Sequence, residues 1–277
     1  MGIATTELSP VEKTAFLTEY ARALDSQWPK PILGDSLAYE VVGQIDYDFK
    51  GLGIQTSVLC QTALRAKMLD DRVRAFVGKH PDAVVVDLGA GLDSGPHRVD
   101  PPESVDWYSV DLPGISALRD EVLPARPNAH TLPVSLADDS WPDAIPADRP
   151  TMLIADGLFA FLTEPVIAGI FQRITAHFGS GELAFNDYGG IGWVSRLAIK
   201  LYPQKMFKDI GSQWFYYGFK DAHYPETWNP RMQLVEETSM THAPEVDLFP
   251  DWLRIATRLS GMTKSTARHG RILRYAF

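Results

Sequence analysis

The stretch VVVDLGAGLDSGP, residues 84–96, determines the fold class. Its first half is an apolar run of the length of a buried strand, and Gly89 and Gly91 follow that run directly. Glycine has no Cβ, so the chain can turn sharply there and bring its backbone close to a ligand. A glycine turn at the carboxyl end of a parallel strand is typical of nucleotide-binding α/β proteins. The stretch therefore predicts a nucleoside-binding turn.

The residues around this turn limit which nucleotide it can bind. A dinucleotide pattern G-x-G-x-x-G needs a third glycine where the chain has Ser94, and Pro96 shortens any helix that would face a pyrophosphate. The sequence contains no Gly-Lys-Ser/Thr triplet of a phosphate-binding loop. Asp111, in contrast, ends the next predicted strand, where a carboxylate can accept both hydroxyls of a ribose. These features favour S-adenosylmethionine, with NAD as the alternative.

Short apolar runs separated by turn signals and helical stretches surround the turn, and this is the βαβ pattern of a mostly parallel sheet. One helix is clear, since Thr163 can cap its start and Gly179 can end it. The predicted strands lie near residues 83–88, 106–110, 130–134, 151–155, 181–186, 232–236 and 271–277, the last of them antiparallel, and a helix is predicted over 250–260.

The chain begins with a helical segment. Ser9 and Glu12 have the spacing of a capping box, and Pro10 suits a first helical turn, so a helix of roughly 15 residues is predicted from there. Residues 28–54 are rich in Pro and Gly and are predicted to be irregular. A second helix is predicted over 57–78, where apolar residues recur near every 3.6 positions.

Residues 188–230 are rich in aromatic side chains without a clear period, which predicts a cap over the ligand site. An acceptor would enter there, so Tyr188 and His223 are the candidates for contact with the reacting oxygen, His223 as a general base. This aromatic block is mostly expected to form the core of the cap, and the alternative is that one or more of five residues line the acceptor pocket: Tyr188, Trp193, Phe215, Tyr216 and Phe219.

Several motifs in order over residues 46–190 resemble the leucine carboxyl methyltransferase family, and more closely its bacterial branch, typified by the tetracenomycin polyketide O-methyltransferase. The composite is specific, although each motif alone is only moderately so. The motifs are Arg65 with Asp70, VVVDLGAGLD at 84–93, WYSVDLP at 107–113, SLADDSW at 135–141 and IADGL at 154–158.

The resemblance implies a Rossmann-like methyltransferase sheet, S-adenosylmethionine as methyl donor, and an N-terminal segment that helps to close the donor site. It implies that Arg65 binds the donor's carboxylate, that Asp156 lies near its ammonium group and that Asp111 binds its ribose. The other donor-binding residues are Gly89, Ala90 and Gly91 under the methionine part, Asp87 as a ligand or a cap of the turn, Leu112 beside Asp111, and Ser135, Leu136 and Ala137 around the adenine, with Asp138 or Asp139 near its amino group.

The chain departs from the family pattern at two positions. The family commonly has Gly-Leu-Asp-Thr-Arg after the glycine turn, whereas here Gly95 stands in place of the arginine. Asp156 stands where the family usually has Glu and is one methylene shorter. Both departures leave open a weakened donor site or a non-catalytic relative.

Composition excludes several classes of protein. The 277 residues carry 26 Lys+Arg against 35 Asp+Glu, a net charge of −9 that disfavours binding to nucleic acid. A single cysteine, Cys60, rules out an internal disulfide and fits a reducing compartment, and no histidine pair has metal-ligand spacing. No apolar run has the length of a membrane helix, and the first residues lack the features of a secretion signal.

We therefore expect a cytoplasmic protein of one methyltransferase domain, with no metal, membrane or nucleic-acid partner and an open oligomeric state. Its predicted parts are an N-terminal helical segment (1–80), a Rossmann-like core (81–187), a cap and acceptor region (188–230), and C-terminal strands and a helix that complete the sheet (231–277).

Methyl transfer from a sulfonium is a direct displacement, so the alignment of the acceptor with the methyl group and the leaving sulfur matters more than acid–base groups. A carboxylate acceptor is ionised at neutral pH and needs no base, whereas a phenol would benefit from one. The sequence thus predicts an O-methyltransferase for a small aromatic or polyketide-like hydroxyl or carboxylate acceptor, with a protein C-terminal carboxylate less favoured. The alternatives are an NAD-linked oxidoreductase and a non-catalytic nucleoside-binding protein.

Overall fold

The structure is a computed structural model that describes residues 2–4, 8–190 and 214–277. Its described strands are β1 (Ile3–Ala4), β2 (Ile45–Asp46), β3 (Val84–Leu88), β4 (Asp106–Asp111), β5 (Ala129–Pro133), β6 (Thr151–Ala155), β7 (Gly181–Asp187), β8 (Gln233–Ser239) and β9 (Arg271–Ala276). The short β1 and β2 pair with each other, and the remaining seven strands form one sheet in the order β5-β4-β3-β6-β7-β9-β8.

The pairing within this sheet confirms the predicted fold class. Neighbouring strands from β5 to β7 are parallel, and β9 is antiparallel to both β7 and β8. The in-register pairs Leu88↔Val110 and Asp87↔Ile154 bring the ends of β3, β4 and β6 to one edge of the sheet. The glycine turn, Asp111 and Asp156 therefore meet at that edge.

The described helices are α1 (Thr14–Ser26), α2 (Ser36–Gln44), α3 (Thr56–Val77), α4 (Gly95–Val99), α5 (Pro113–Val122), α6 (Glu164–His177), α7 (Asp251–Ser260) and α8 (Lys264–Ala267). Alternate residues of each strand face opposite sides of the sheet. On one side Val85 packs with apolar residues of α3, and on the other Val84 and Val86 pack with those of α6. The sheet is thus covered by helices on both faces, as a parallel sheet requires.

The predicted capping box forms, but it belongs to the turn that precedes α1. The backbone N–H of Ser9 donates to Glu12 Oε2 at 2.8 Å, and the backbone N–H of Glu12 donates to Ser9 Oγ at 3.3 Å. Regular helix starts only at Thr14, four residues beyond the predicted start at Pro10. The second predicted helix is confirmed as α3.

The prediction that residues 28–54 are irregular was wrong over α2. Asp35 caps this helix, because its side chain accepts the backbone N–H of Ala38 at 3.2 Å. The helix has nine residues and contains Gly43, so its local propensity is weak. Packing supplies the missing stability, since Val41 and Phe16 share an apolar cluster.

The C-terminal predictions are confirmed, with β8 extending to Ser239 and α7 and β9 in place. Of the predicted cap, residues 191–213, including Trp193, lie outside the described residues. Within 214–230 the only regular element is a 3-10 turn at Tyr224–Thr227. Among the described residues, no helix is long and apolar enough to cross a membrane, and no group of three or more His, Cys, Asp or Glu side chains could hold a metal ion.

Candidate functional site

A cavity of about 340 Å³ opens at the carboxyl ends of β3, β4 and β6. It receives the side chains that the sequence singled out from five separate stretches. The predicted donor-binding residues that line it are Arg65, Asp87, Gly89, Ala90, Gly91, Asp111, Leu112, Ser135, Leu136, Ala137 and Asp156, and Tyr188 lines it as well.

The glycine turn has the backbone that its sequence predicts. Gly89 and Gly91 have φ angles of 69° and 53°, in the left-handed region that favours glycine. A Cβ on Gly89 would lie 2.8 Å from Leu158 Cδ1, and a Cβ on Gly91 would lie 3.2 Å from the methyl group of Ala15. The turn therefore lies between the loop after β6 and helix α1, with no room for side chains.

Asp111 is held at the end of β4 by the backbone of its neighbours. Its Oδ2 accepts the N–H of Gly91 and its Oδ1 accepts the N–H of Leu112, both at 2.7 Å. Burial raises the pKa of Asp111 above its usual range. These two hydrogen bonds fix the orientation of the Asp111 carboxylate. Each of its oxygens can accept one more hydrogen bond, so the carboxylate can still bind the two hydroxyls of a ribose.

Arg65 and Asp156 form an ion pair in the cavity wall, with 2.7 Å between Arg65 Nε and Asp156 Oδ1. Both side chains are mostly buried. Burial alone would lower the pKa of Arg65, but the Asp156 carboxylate outweighs it and the net shift is upward. A Cβ on Gly157 would lie 3.2 Å from Arg65 Nη2, and the N–H of Gly157 donates to Asn186 Oδ1 at 2.6 Å. The shorter Asp156 therefore still places its charge against Arg65.

The structure also explains the departure at Gly95. A Cβ there would lie 2.9 Å from Cζ2 of Trp107, which is fully buried on β4. A guanidinium nevertheless stands beside the glycine turn, because Arg98 Nη1 lies 2.7 Å from Asp93 Oδ1. Arg22 of α1 contacts the other oxygen of Asp93 at 3.0 Å. Arg98 and Arg22 both line the cavity.

Arg98 also binds the two helices that surround the turn. Its Nε and Nη2 contact both carboxylate oxygens of Asp70 on α3 at 3.0 and 3.1 Å. Its Nη1 donates to Asp35, the cap of α2, at 2.7 Å. These charge-assisted contacts, of which the one with Asp70 is bidentate, join helices α2, α3 and α4 beside the glycine turn.

Two carboxyl groups below the turn have opposite protonation tendencies. Burial, assisted by the charge of Asp93, raises the pKa of Asp87 to about 8. Although burial alone would raise it, the guanidiniums of Arg22 and Arg98 hold the pKa of Asp93 below its usual range. Protonation is therefore favoured at Asp87 and disfavoured at Asp93.

The remaining predicted acids near the adenine end lie outside the cavity lining. Asp138 and Asp139 are exposed, and Asp139 forms an ion pair of 2.8 Å with Arg173. Ser135, Leu136 and Ala137, directly before them, are part of the lining.

Part of the cavity lining is apolar and aromatic. Tyr188 packs against Trp214, with ring centroids 4.9 Å apart, and both line the cavity together with Phe161. Of the other predicted aromatics, Phe215 is exposed, and neither Tyr216 nor Phe219 is part of the lining. Phe219 instead packs in the core near Phe185.

His223 requires a correction, because the structure places it outside the cavity. Its side chain is 64% exposed, and its Nδ1 lies 3.0 Å from Glu226. The aromatic-rich sequence around it suggested a pocket, but the adjoining Tyr224–Thr227 turn packs on the outside of α6, where the Tyr224 hydroxyl donates to Glu164 at 2.8 Å.

Sequence reasoning implied that the N-terminal segment helps to close the donor site, but it named no residue of α1 in the lining. Thr14, Thr18 and Arg22 face the cavity, four residues apart on one side of the helix. Glu12, in the turn before α1, accepts the N–H of Ile115 at 3.1 Å and so ties that turn to the start of α5. The four-residue spacing is visible in the sequence, but nothing in it distinguishes a cavity face from a solvent face.

The lining fits the parts of S-adenosylmethionine. Asp111 offers acceptors for the ribose hydroxyls, and Arg65 and Asp156 offer opposite charges for an amino-acid group. The Gly89–Gly91 turn leaves space for a ligand to approach the backbone. The arginines of the described lining, Arg22, Arg65 and Arg98, are each paired with a carboxylate of the chain.

Comparisons with known proteins agree with this geometry. A model of the leucine carboxyl methyltransferase family matches residues 15–175. The chain is 32% identical over 274 residues to the tetracenomycin polyketide synthesis O-methyltransferase of Streptomyces glaucescens, covering 99% of both chains. It is 28% identical over 254 residues to an S-adenosyl-L-methionine-dependent methyltransferase of Gibberella zeae, covering 85% of this chain and 84% of the relative.

A solved structure of a candidate methyltransferase from Thermobifida fusca has the same fold, with a TM-score of 0.55 and 18% identity over 92% of this chain and 93% of that chain. The matched residues include most of the described cavity lining, from Ala15 to Leu162. By its motifs, its cavity and these similarities, the chain belongs to the leucine carboxyl methyltransferase family.

Proposed function

We propose that this S-adenosylmethionine-dependent methyltransferase transfers the donor's methyl group to a hydroxyl or carboxylate oxygen of a small aromatic or polyketide-like acceptor. One observation carries the proposal: a single cavity is lined both by the charged residues Arg65, Asp156 and Asp111 and by the aromatic residues Tyr188 and Trp214. A donor and a flat apolar acceptor would each find complementary surface there.

The proposed roles at the donor end come from the family resemblance, and the contacts support them. Arg65 binds the donor's carboxylate and Asp156 its ammonium group, while Asp111 accepts the ribose hydroxyls. Ser135, Leu136 and Ala137 surround the adenine. When bound, the donor supplies an electrophilic methyl on a sulfonium, and the chain's part is to hold it in line with the acceptor oxygen.

At the acceptor end, the described lining contains no histidine and no lysine. A carboxylate acceptor is already ionised and needs no base, whereas a phenol would need one of the carboxyl groups of the lining, such as Asp156, within hydrogen-bond reach. Tyr188 can donate a hydrogen bond that orients the acceptor oxygen. The polyketide-like acceptor is supported by the name of the Streptomyces glaucescens relative.

We also propose a cytoplasmic location, which the single buried Cys60 supports. A non-catalytic nucleoside-binding protein remains the second candidate, favoured by the absence of the arginine at Gly95. The space lined by Tyr188, Trp214 and Phe161 argues against it, because a protein that only binds the nucleoside has no use for an acceptor pocket.

Two measurements test the proposal. Calorimetric titration should detect binding of S-adenosylmethionine and S-adenosylhomocysteine but not of NAD. Transfer of a labelled methyl group should then be measured on a panel of aromatic carboxylic acids and matched phenols. Donor binding without transfer to any acceptor in the panel would support the binding protein, and failure to bind either sulfur nucleoside would contradict both hypotheses.

A further inference from the structure

Helix α3 lines the cavity with a row of side chains that extends from Arg65 toward the start of the helix. Val58, Gln61, Thr62 and Arg65 all contribute to the lining. They lie three or four residues apart, so they share one face of the helix. The proposed donor site uses only Arg65 from this row, and the residues before it still have no role.

Contacts along α3 show which part of the sheet edge each of its turns covers. Asp70 binds the arginine of α4 that lies beside the glycine turn after β3. Arg65, more than one turn earlier, contacts Asp156 at the end of β6. Gln61, one turn earlier still, lines a separate cavity of about 220 Å³ together with Gly270, which directly precedes β9. Because the sheet order is β3-β6-β7-β9, the start of α3 lies away from the glycine turn.

Thr62 lies between the contacts with β6 and β9, and α3 packs against both of these strands and against β7 between them. Tyr188 follows β7 directly and lines the cavity. The loop after β7 also contacts the segment before β9, since a Cβ on Gly189 would clash with the carbonyl oxygen of Arg268. Thr62 is therefore on the Tyr188 side of the row, away from Asp111.

The hydroxyl of Thr62 is a buried polar group without a partner. The residue is only 2% exposed and lines the cavity, and it forms no hydrogen bond within the part of the chain that the structure describes. Thr18, which faces the same cavity from α1, differs because its hydroxyl donates to the carbonyl of Ala15 at 3.1 Å. A buried hydroxyl is unfavourable unless it is hydrogen-bonded, so its position in a cavity wall indicates a ligand that supplies the missing partner.

The amide of Gln61 stands beside this hydroxyl in the same wall. Gln61 is exposed, and among the described residues its side chain has no hydrogen-bond partner either. A hydroxyl and a primary amide can each donate and accept a hydrogen bond, and neither carries a charge. The pair therefore suits a neutral oxygen, a hydroxyl or a keto group. Phe161 and Trp214 add apolar surface for the ring that would carry it.

We propose that Thr62 and Gln61 bind a second, neutral oxygen substituent of the acceptor, on the same ring system as the oxygen that is methylated. The inference rests on the proposed O-methyl transfer and narrows its substrate class to aromatic acceptors with at least two oxygen substituents. Both residues determine specificity by holding the ring in one orientation, and no bond to them forms or breaks. An acceptor that lacks the second oxygen leaves the Thr62 hydroxyl unpaired and is therefore disfavoured.

Methyl transfer to matched acceptors tests the inference. The panel consists of 2-naphthoic acid and 2-naphthol, each alone and with one hydroxyl at every other ring position in turn. With the wild type, kcat/KM for at least one hydroxylated acceptor should exceed that for its parent by about tenfold or more. Thr62→Val keeps the shape of the side chain and removes the hydroxyl, so it should reduce this ratio to about threefold or less, mainly through KM. Calorimetry should give this variant the wild-type affinity for S-adenosylmethionine.

Three further variants separate a specific hydrogen bond from a general effect on the fold. Thr62→Ser retains the hydroxyl and should retain the wild-type ratio. Gln61→Leu should lower the ratio, as Thr62→Val does. Thr18→Val is the matched control, because the hydroxyl of Thr18 already has its partner within α1, and the ratio should not change.

The outcomes distinguish failure of this inference from failure of the proposed function. Transfer to either parent acceptor that no added hydroxyl improves would overturn the inference and leave the proposed function standing. A Thr62→Val variant that binds the donor more weakly but keeps the wild-type ratio would assign Thr62 to the donor site instead. Donor binding without transfer to any acceptor of the panel would contradict the proposed function, and the inference with it.

Discussion

Arg98 Nη1 lies 2.7 Å from Asp93 Oδ1, three positions after Gly95, where the family commonly has its arginine. The positive charge that the family places at the start of α4 is therefore supplied by Arg98, near the end of the same helix. Arg98 is also bound to Asp35 and Asp70, so the contact forms part of a buried network.

Replacing Arg98 should destabilise the fold. Arg98→Met would leave Asp35, Asp70 and Asp93 buried with fewer partners, so we expect the free energy of unfolding to fall by about 3–5 kcal/mol. Urea denaturation measures this loss. Arg254→Met is the control, because Arg254 is 40% exposed in its contact with the exposed Asp251, and a change of less than about 1 kcal/mol is expected there. Equal losses in both variants would contradict the central position of Arg98.

Asp111→Asn should weaken donor binding while keeping the shape of the side chain. Removing the negative charge that would accept two ribose hydroxyls should cost about 1–3 kcal/mol of binding free energy. Calorimetric titration with S-adenosylmethionine measures the change. Asp138→Asn, an exposed acid outside the cavity, should have no effect, and an unchanged affinity in Asp111→Asn would remove Asp111 from the donor site.

Arg65→Lys should distinguish the amino-acid end of the donor from its nucleoside end. Lysine keeps the charge but loses the planar pair of donors that fits a carboxylate. We therefore expect weaker binding of S-adenosylmethionine by about 1–3 kcal/mol, and little change for its decarboxylated analogue. Equal weakening of both ligands would show that Arg65 acts on the fold and not on the carboxylate.

Donor affinity should rise with pH because of Asp87. Burial raises the pKa of Asp87 in the free protein, and a bound cation favours the ionised form. Binding of the sulfonium donor then releases a proton, so the affinity should increase by up to about tenfold per pH unit as the pH approaches 8. Asp87→Asn should flatten this dependence, and S-adenosylhomocysteine, which lacks the sulfonium charge, should show a weaker one.

Stability should fall with rising pH because of Glu19, which is fully buried beside Arg22 on α1. Burial raises the pKa of Glu19 from 4.5 to about 7, so the folded state holds a proton that the unfolded state releases. Between these two values the contribution of Glu19 to stability decreases as pH rises, by an amount on the order of 3 kcal/mol. Urea denaturation of the wild type and Glu19→Gln should therefore diverge between about pH 5 and about pH 8, with the variant less sensitive. Parallel curves would contradict the raised pKa.

The sheet and the donor end of the cavity were predictable because their signals are local. A strand followed by Gly89 and Gly91 has few alternative structures, and parallel strands bring their carboxyl ends together without further information. The capping box at Ser9 was also visible, although the helix itself starts at Thr14.

Predictions failed where packing between distant segments decides the structure. Residues of α2 have weak helical propensity, and only their contact with α1 makes the helix stable. His223 and Tyr188 both lie among aromatic residues in sequence, but only Tyr188 follows a strand that ends at the cavity. Arg98 was overlooked because a shift of three positions places it outside the motif, and only the short helix α4 brings it back to Asp93.

The close packing of Gly95 against Trp107 restricts how this sequence can change. An arginine at position 95 would clash with the indole of Trp107, and a smaller residue at 107 would leave a cavity beneath the sheet. Arg98 would by then compete with the new side chain for Asp93. Return to the common family sequence thus requires coordinated changes at positions 95, 98 and 107, each of which is unfavourable alone. These positions are epistatic, and their substitutions should be inherited together.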